Sequence, residues 1–167
     1  MVPESFGVLS GVVMTHDSEC FCERLKGELS FYFLRQEDSP IISELLECRK
    51  VAAGEVLWRE GDACDCLAFI VSGRLEIRKQ TEFPGKDVIV GIYGKGSIVG
   101  ELCLLSGHER FVTVAALEDA DLLLLSRENF QRLTRQAPEL SVRLLQGVLL
   151  AVSTRLGKSF ERLASVF

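Results

Sequence analysis

The chain has 167 residues, 47% hydrophobic and 26% charged, a composition that fits one ordinary globular domain and excludes a disordered or fibrous chain. Lys and Arg total 19 against 24 Asp and Glu, a formal net charge of −5, which excludes the broad basic field needed for sequence-independent nucleic-acid binding. A chain of this length can bury roughly two-thirds of its unfolded surface, so folding requires neither disulfides nor a metal.

In chain order, the start from Met1 to Met14 has no Lys or Arg and so lacks the charged region of a secretory signal. Asp17 or Ser18 can cap a first helix whose Phe21, Leu25, Leu29 and Phe33 recur every four residues and form one buried stripe. His16 and Cys20 would share a face of that helix and, with Cys22, form the metal-ligand grouping that the spacing offers. Both close cysteine pairs are C-x-C and the chain has only two histidines, which weighs against such a site. Cys20, Cys22, Cys48, Cys64, Cys66 and Cys103 are therefore expected to be reduced, small and buried. Ser39-Pro40 then places a cap and a first-turn proline before a second helix through Ile41 to Leu46.

From residue 50 to 126 the apolar period changes from 3.6 to 2. Glu55–Trp58, Cys66–Val71, Leu75–Ile77, Val88–Tyr93, Val112–Leu117 and Leu122–Leu125 read as short strands separated by Gly, Asp or Pro turns. Nine of the fourteen glycines fall between Gly54 and Gly107, where tight turns call for positive φ. Many short strands at even spacing predict a sandwich or barrel.

Helical periodicity returns after Ser126, with a short helix over Arg127–Gln136 that stops before Pro138. From Val142 to Val166 the apolar residues follow a heptad, with Val142, Leu149, Leu156 and Leu163 in one register and Leu145, Val152 and Val166 in the other, where Ser159 is the polar break. Leu144, Val148, Ala151 and Phe160 widen that stripe, so the helix is expected to pack on its own β-domain and on a second copy of the chain. Residues 127–167 carry seven basic and three acidic side chains, +4, leaving −9 on residues 1–126, a mild asymmetry that fits a solvated helix face. No uninterrupted apolar run reaches the roughly 18 residues of a membrane span. A cytoplasmic protein with no membrane contact is expected.

The most informative stretch is Gly96 to Val114. It reads as a strand ending in glycine, a single helical turn over Glu101–Leu105, a turn at Gly107, and a strand that opens with Arg110. A helix start after glycine exposes backbone N–H groups that, with the helix dipole, favour an anion. Arg110 adds a fork suited to a phosphate, and Glu101, acceptor-only when ionised, suits sugar hydroxyls.

Val99-Gly100-Glu101-Leu102-Cys103-Leu104-Leu105 followed by Glu109-Arg110-x-x-Thr113-Val114 resembles the phosphate-binding cassette of cyclic-nucleotide-binding domains. These are the domains of the bacterial catabolite activator protein, the regulatory subunits of cAMP-dependent kinase and the cyclic-nucleotide-gated channels. Gly54-Glu55-Val56-Leu57, Arg59-Glu60-Gly61-Asp62 and Phe69-Ile70-Val71-Ser72-Gly73-Arg74-Leu75 are similar to the family's early strands and hairpin turn, so the likeness runs over about residues 45–160. It implies a mainly β fold, a jelly-roll-like double-stranded β-helix of eight strands with flanking N-terminal helices and a long C-terminal helix. The divisions it implies are a helical segment at 1–48, the β-roll at 49–137 and a lid or dimerisation helix at 138–167. It also implies roles: Glu101 on the ribose 2′-hydroxyl, Arg110 on the exocyclic phosphate oxygens, and amides around Gly100, Leu102, Cys103 and Phe111 completing the cradle. Ile77 and Val90 would line the apolar side, and Ser159 would come near the base.

The implied ligand is cAMP or cGMP, held as a regulatory ligand with no further cofactor. The output would pass through the C-terminal helix to an effector protein. Phe111 departs from the small residue or Thr usual after the arginine, so its ring is expected to crowd the base. No helix-turn-helix follows the long helix in this sequence, so no DNA reading by this chain is expected. Catalysis is not expected either: His108 has no nucleophile or carboxylate partner at a catalytic spacing, and it alone cannot form a cupin-type metal site. The competing readings are a ligand-free interaction module of the same fold, and an ion pair joining Arg110 to Glu101 or Glu109. Read as a ligand contact, Arg110 should be replaceable by Ala with little loss of ligand-free stability.

Overall fold

The structure, a computed structural model, describes residues 34–105 and 107–166. The expected first helix and the grouping of His16, Cys20 and Cys22 lie outside the described residues. The chain forms a 3-10 turn (Gln36–Asp38), α1 (Ser39–Ser43), β1 (Leu46–Val51), β2 (Val56–Trp58), β3 (Cys66–Ser72) and β4 (Arg74–Gln80). It continues with β5 (Asp87–Gly94), β6 (Ile98–Val99), a second 3-10 turn (Glu101–Leu104), β7 (Thr113–Ala116), β8 (Ala120–Ser126), α2 (Arg127–Gln136) and α3 (Pro138–Ala164). The strands make two antiparallel sheets, β1-β8-β3-β6 and β2-β7-β4-β5. This is the mainly β roll with flanking helices and a long C-terminal helix that the resemblance implies.

Side-chain alternation fixes where the two cores lie. In β3, Leu67, Phe69 and Val71 point towards the helices while Ala68 and Ile70 point towards the second sheet. In β8, Leu123 and Leu125 join the helix side and Leu122 and Leu124 the sheet side. That is why Leu122–Leu125 reads as an unbroken apolar run: both faces are buried. The helix-side core takes Ile42 and Leu45, Leu133 of α2, and Leu140 and Leu144 of α3. The sheet-side core takes Trp58, Leu75, Ile77 and Val114.

Three local expectations are corrected. The helix expected through Leu46 ends at Ser43, because Leu46 pairs with Leu125 and opens β1, so sheet pairing overrides the local helical pattern. The residue before α1 is Asp38 rather than Ser39, and its carboxylate accepts from the Arg35 amide at 2.7 Å. Cys48 is disulfide-bonded, so the thiols are not all reduced; composition argues about compartments and cannot tell which sulfurs a fold brings together.

Gly73 makes the β3–β4 turn with φ +78°, and a Cβ there would lie 2.3 Å from the Asp119 carbonyl oxygen. Only glycine fits that close crossing. The long helix has two apolar sides, as its sequence implies: Leu140 and Leu144 are buried in the core, while Val142, Leu145, Leu149, Phe160 and Leu163 are exposed. Over an 18-residue window its mean hydropathy reaches 1.2, which by length and composition alone would suffice to cross a membrane. Leu, Val and Ala carry that average, while Gln146, Gly147, Ser153 and Thr154 interrupt the apolar run.

The helix is tied to the start of the fold by charge. Arg143 of α3 donates to both carboxylate oxygens of Asp38, at 2.5 and 2.6 Å. Burial pushes the Asp38 carboxyl up, but the Arg143 and Arg35 hydrogen bonds and charges outweigh it and hold its pKa below the ordinary value of 3.8. A depressed pKa contributes stability above the unfolded value and loses it as pH falls through the folded one. Asp38→Asn should therefore cost about 2 kcal/mol at neutral pH. Chemical unfolding of wild type and variant should converge as pH falls below the ordinary carboxylate value and through the lowered pKa of Asp38.

Candidate functional site

The site begins where β6 leaves the sheet. β6 pairs with β3 through Phe69↔Ile98 and Ala68↔Val99 and delivers the chain to Gly100, which has φ +78°. A Cβ on Gly100 would lie 2.6 Å from Arg110 Nη1, 3.0 Å from the Trp58 ring and 3.1 Å from the Cys66 carbonyl oxygen. The glycine is there because the guanidinium takes its space.

Arg110 is locked at both ends. Its amide donates to the Asp62 carbonyl at 2.8 Å, and its own carbonyl accepts from the Gly61 amide at 2.8 Å. Its Nη1 donates to the Cys66 carbonyl at 2.7 Å, its Nη2 donates to Asp65 Oδ1 at 2.8 Å, and the guanidinium lies 3.7 Å from the centre of the Trp58 ring. The residue is 4% exposed. Its Nε is buried with no hydrogen-bond partner among the described residues.

The cassette turn is held from behind by Arg127 at the start of α2, whose Nε donates to the Cys103 carbonyl at 2.8 Å and whose Nη2 donates to the Cys64 carbonyl. Burial pushes the thiols of Cys64, Cys66 and Cys103 up, and nearby Arg110 opposes that without reversing it. They stay protonated at neutral pH, which fits packing rather than redox chemistry.

From the other side comes α3. Arg155 approaches the Glu101 carboxylate at 3.4 and 3.5 Å, donates to the Ile98 carbonyl, and lies 4.4 Å from the centre of the Tyr93 ring. Between the cassette and the helix is a cavity of about 350 Å³. Ile77, Val90, Gly100, Glu101, Leu102, Arg110, Phe111 and Ser159 all line it, so eight of the nine residues singled out from the sequence meet there. Cys103 does not: its side chain is buried in the helix-side core and its amide donates to the Gly100 carbonyl at 3.1 Å. Phe111 stands at the rim, 65% exposed, and does not plug the cavity.

Other details differ from expectation. The turn after Gly100 is a four-residue 3-10 helix ending at Leu104, too short for a useful helix dipole. The following strand opens at Thr113 rather than at Arg110, because Arg110 is spent on the Gly61-Asp62 loop. Arg110 pairs with Asp65 and Glu101 with Arg155, not Arg110 with Glu101 or Glu109. Replacing Arg110 should therefore lower ligand-free stability, contrary to its reading as a ligand contact alone. Trp58, Asp65, Tyr93 and Arg155 were not anticipated. Arg155 carried one faint signal, a cation flanking the apolar seam four residues before Ser159.

A nucleotide-sized cavity against a β-roll, with a buried arginine beneath a glycine turn, is the architecture of a regulatory ligand-binding domain. The chain belongs to the cyclic nucleotide-binding domain family, whose model matches residues 48–137. It is similar to patatin-like phospholipase domain-containing protein 7 of Rattus norvegicus, 35% identical over 115 residues, which is 68% of this chain and 8% of that protein. It is also similar to lysophospholipase nte1 of Aspergillus fumigatus, 37% identical over 98 residues, or 58% and 6% of the two lengths. The chain thus spans less than a tenth of the curated relatives it matches. Among solved structures, a cyclic nucleotide-binding domain from Methylobacillus flagellatus aligns with TM-score 0.74 and 22% identity over 90% of this chain and 86% of that one. The Thermus thermophilus catabolite activator protein aligns with TM-score 0.65 and 28% identity, covering 79% and 61%. The regulatory domain of Toxoplasma gondii PKA, crystallised with cAMP, aligns with TM-score 0.58 and 30% identity, covering 68% and 44%.

Gly100→Ala combines positive φ with the clash on Nη1, so it should cost about 2 kcal/mol or more, equivalent to a fall in Tm of about 4–8 °C. A melting temperature within about a degree of wild type would show that the guanidinium does not need that space.

Proposed function

We propose that this chain binds a cyclic mononucleotide, cAMP or cGMP, as a cytoplasmic regulatory domain, and that it reports occupancy through α3 to an effector protein. The observation that carries the reading is Arg110: a buried guanidinium in the cavity wall whose Nε has no partner among the described residues. An unsatisfied buried donor costs free energy, and an anionic oxygen in the cavity would recover it. Glu101 is the acceptor for the ribose hydroxyls. The Leu102 and Phe111 amides complete the phosphate cradle, Ile77 and Val90 form the apolar wall, and Ser159 lies nearest the base. The domain does no catalysis in this reading; the phospholipase names of the relatives belong to proteins of which the matched stretch is 6–8%.

The mechanism is differential affinity. Ligand can shift α3 between positions only by as much as it binds one better than the other. The exposed face of α3, with Leu149 66% exposed, supports a homodimer through Val142–Val166. A second reading, a ligand-free module that docks through α3, draws on the fact that Asp65, Cys66 and Trp58 already occupy most of the Arg110 guanidinium.

Thermal unfolding separates the two. At 100 times its Kd, a nucleotide should add about 2.7 kcal/mol, or about 5–10 °C. Arg110→Ala should lose that shift and also melt lower without ligand, by about 2 kcal/mol for its lost hydrogen bonds and cation–π contact. No shift with either nucleotide would leave the docking module. Independently, Leu149→Glu puts a charge into the seam, so sedimentation velocity should show dimer for wild type and monomer for the variant; a monomeric wild type would refute the dimer.

A further inference from the structure

We infer that β5 is an edge that pairs with β5 of a second copy of this chain, joining the β2-β7-β4-β5 sheets of the two copies into one continuous sheet across a two-fold axis. The contact rests neither on the nucleotide-binding reading nor on the α3 seam.

β5 ends its sheet, with β4 on one side and no strand on the other. Edge strands are ordinarily shielded by charge, proline or brevity. β5 has none of these: it is eight residues long, and the stretch Val-Ile-Val-Gly-Ile-Tyr-Gly between Asp87 and Lys95 carries neither charge nor proline. Ile89 and Ile92 are 59% and 51% exposed. The opposite edge of the same sheet, β2, is only three residues long.

Backbone alternation decides which groups the edge offers. The Arg74 carbonyl accepts from the Leu117 amide at 2.9 Å, so Arg74 turns its polar groups away from β5 while Leu75 and Ile77 turn theirs towards it. Their partners Tyr93 and Gly91 are therefore the bonded residues, and Ile92 points its amide and carbonyl to the open side. The register slips at Val90, since Ile77 faces Gly91 but Arg78 faces Ile89. Beyond the slip Lys79 meets Val88, which leaves Ile89 and Asp87 pointing outward. A bulge usually spoils an edge for pairing. Here it falls at the midpoint: the open residues are Asp87, Ile89, Ile92 and Gly94, an order of spacings that reads the same in both directions.

Two antiparallel copies can therefore superpose their open groups. Ile89 of each copy meets Ile92 of the other, donor to acceptor, and the two isoleucine pairs share the outer face with Arg78 and Glu76. Asp87 of each copy arrives at the Gly94-Lys95 end of the other, where the charges are opposite, while Lys86 leans over the Phe83 ring at 5.8 Å. The Gly94 carbonyl already accepts from the Ser97 amide, so at the ends the Gly94 amide extends the ladder. One strand edge covers far less than the roughly 800 Å² per partner of a standard interface, so this contact is weak and forms at high concentration.

The test follows the full chain by sedimentation velocity from micromolar to millimolar concentration, as wild type and as Leu149→Glu, which removes the α3 seam. Leu149→Glu should pass from monomer to dimer, and wild type from its dilute state to a larger one. Adding Ile89→Lys with Ile92→Lys puts lysine opposite lysine twice and should raise the dissociation constant at least about tenfold. Adding Ile89→Glu with Ile92→Lys puts opposite charges in the same places and should restore association. Both side chains are exposed, so melting temperatures should stay near that of the parent chain. Amide hydrogen exchange gives a second reading on the unmodified protein: Ile89 and Ile92 should slow as concentration rises, while Gly91 and Tyr93, already bonded to β4, should not. Leu149→Glu that stays monomeric throughout, association that paired lysines leave unchanged, or Ile89 and Ile92 amides that exchange alike at every concentration would each overturn the pairing. Opposite charges that restore nothing would overturn the register.

Discussion

A guanidinium taken out of water has to be met on every side, and the site is built around that demand at Arg110. Arginine stays charged when buried, so the protein supplies partners rather than neutralising it. Asp65 supplies the counter-charge, the Cys66 carbonyl an acceptor, and the Trp58 ring a face to stack on. Gly100 supplies the absence of a side chain. The backbone follows: the Gly61-Asp62 loop exchanges hydrogen bonds with Arg110 in both directions, and this delays β7 until Thr113. Among the described residues, the Arg110 Nε is left without a partner.

The second constraint is that α3 belongs to two environments at once. Leu140 and Leu144 anchor it in the helix-side core, and the ion pair of Arg143 with Asp38 ties it to the segment before β1. Farther along, Val152, Leu156 and Ser159 face the cavity while Leu149 and Leu163 face outward. The helix therefore touches the core, the site and the surface in sequence. A small change in the site has a rigid element to act on, and that element carries an apolar face to whatever lies beyond it.

Legibility in the sequence followed distance along the chain. The strands with alternating or doubly buried residues were readable because period is a local signal, as in Cys66–Ser72 and Ala120–Ser126. β1 was not, since its Glu47, Arg49 and Lys50 look like a solvated helix and it becomes a strand only by pairing with β8. β6, two residues long, is too short to show a period. In the site, Gly100, Glu101 and Arg110 lie within one contiguous motif. Asp65 reaches Arg110 from 45 residues away and Arg155 reaches Glu101 from 54. Partners at that separation are set by topology, which no local pattern encodes. The helix-dipole argument at Gly100 failed for a related reason: spacing locates the turn but not its length, and four residues of 3-10 helix carry little dipole.

Charge balance then decides what kind of ligand such a site favours. The cavity wall holds two cations, Arg110 and Arg155, and two carboxylates, Glu101 and Glu109, with Asp65 behind Arg110. A wall so nearly neutral has no surplus positive charge with which to draw in a free multivalent phosphate. An anion entering it replaces existing pairings more than it adds attraction. Further affinity has to come from the apolar wall of Ile77, Val90, Val114 and Leu156, where burial contributes about 25 cal/mol per Å². The fitting ligand therefore has one charge, a polar rim for Glu101, and a broad apolar face. A cyclic mononucleotide, with a single phosphodiester charge, a ribose hydroxyl and a purine, has that distribution.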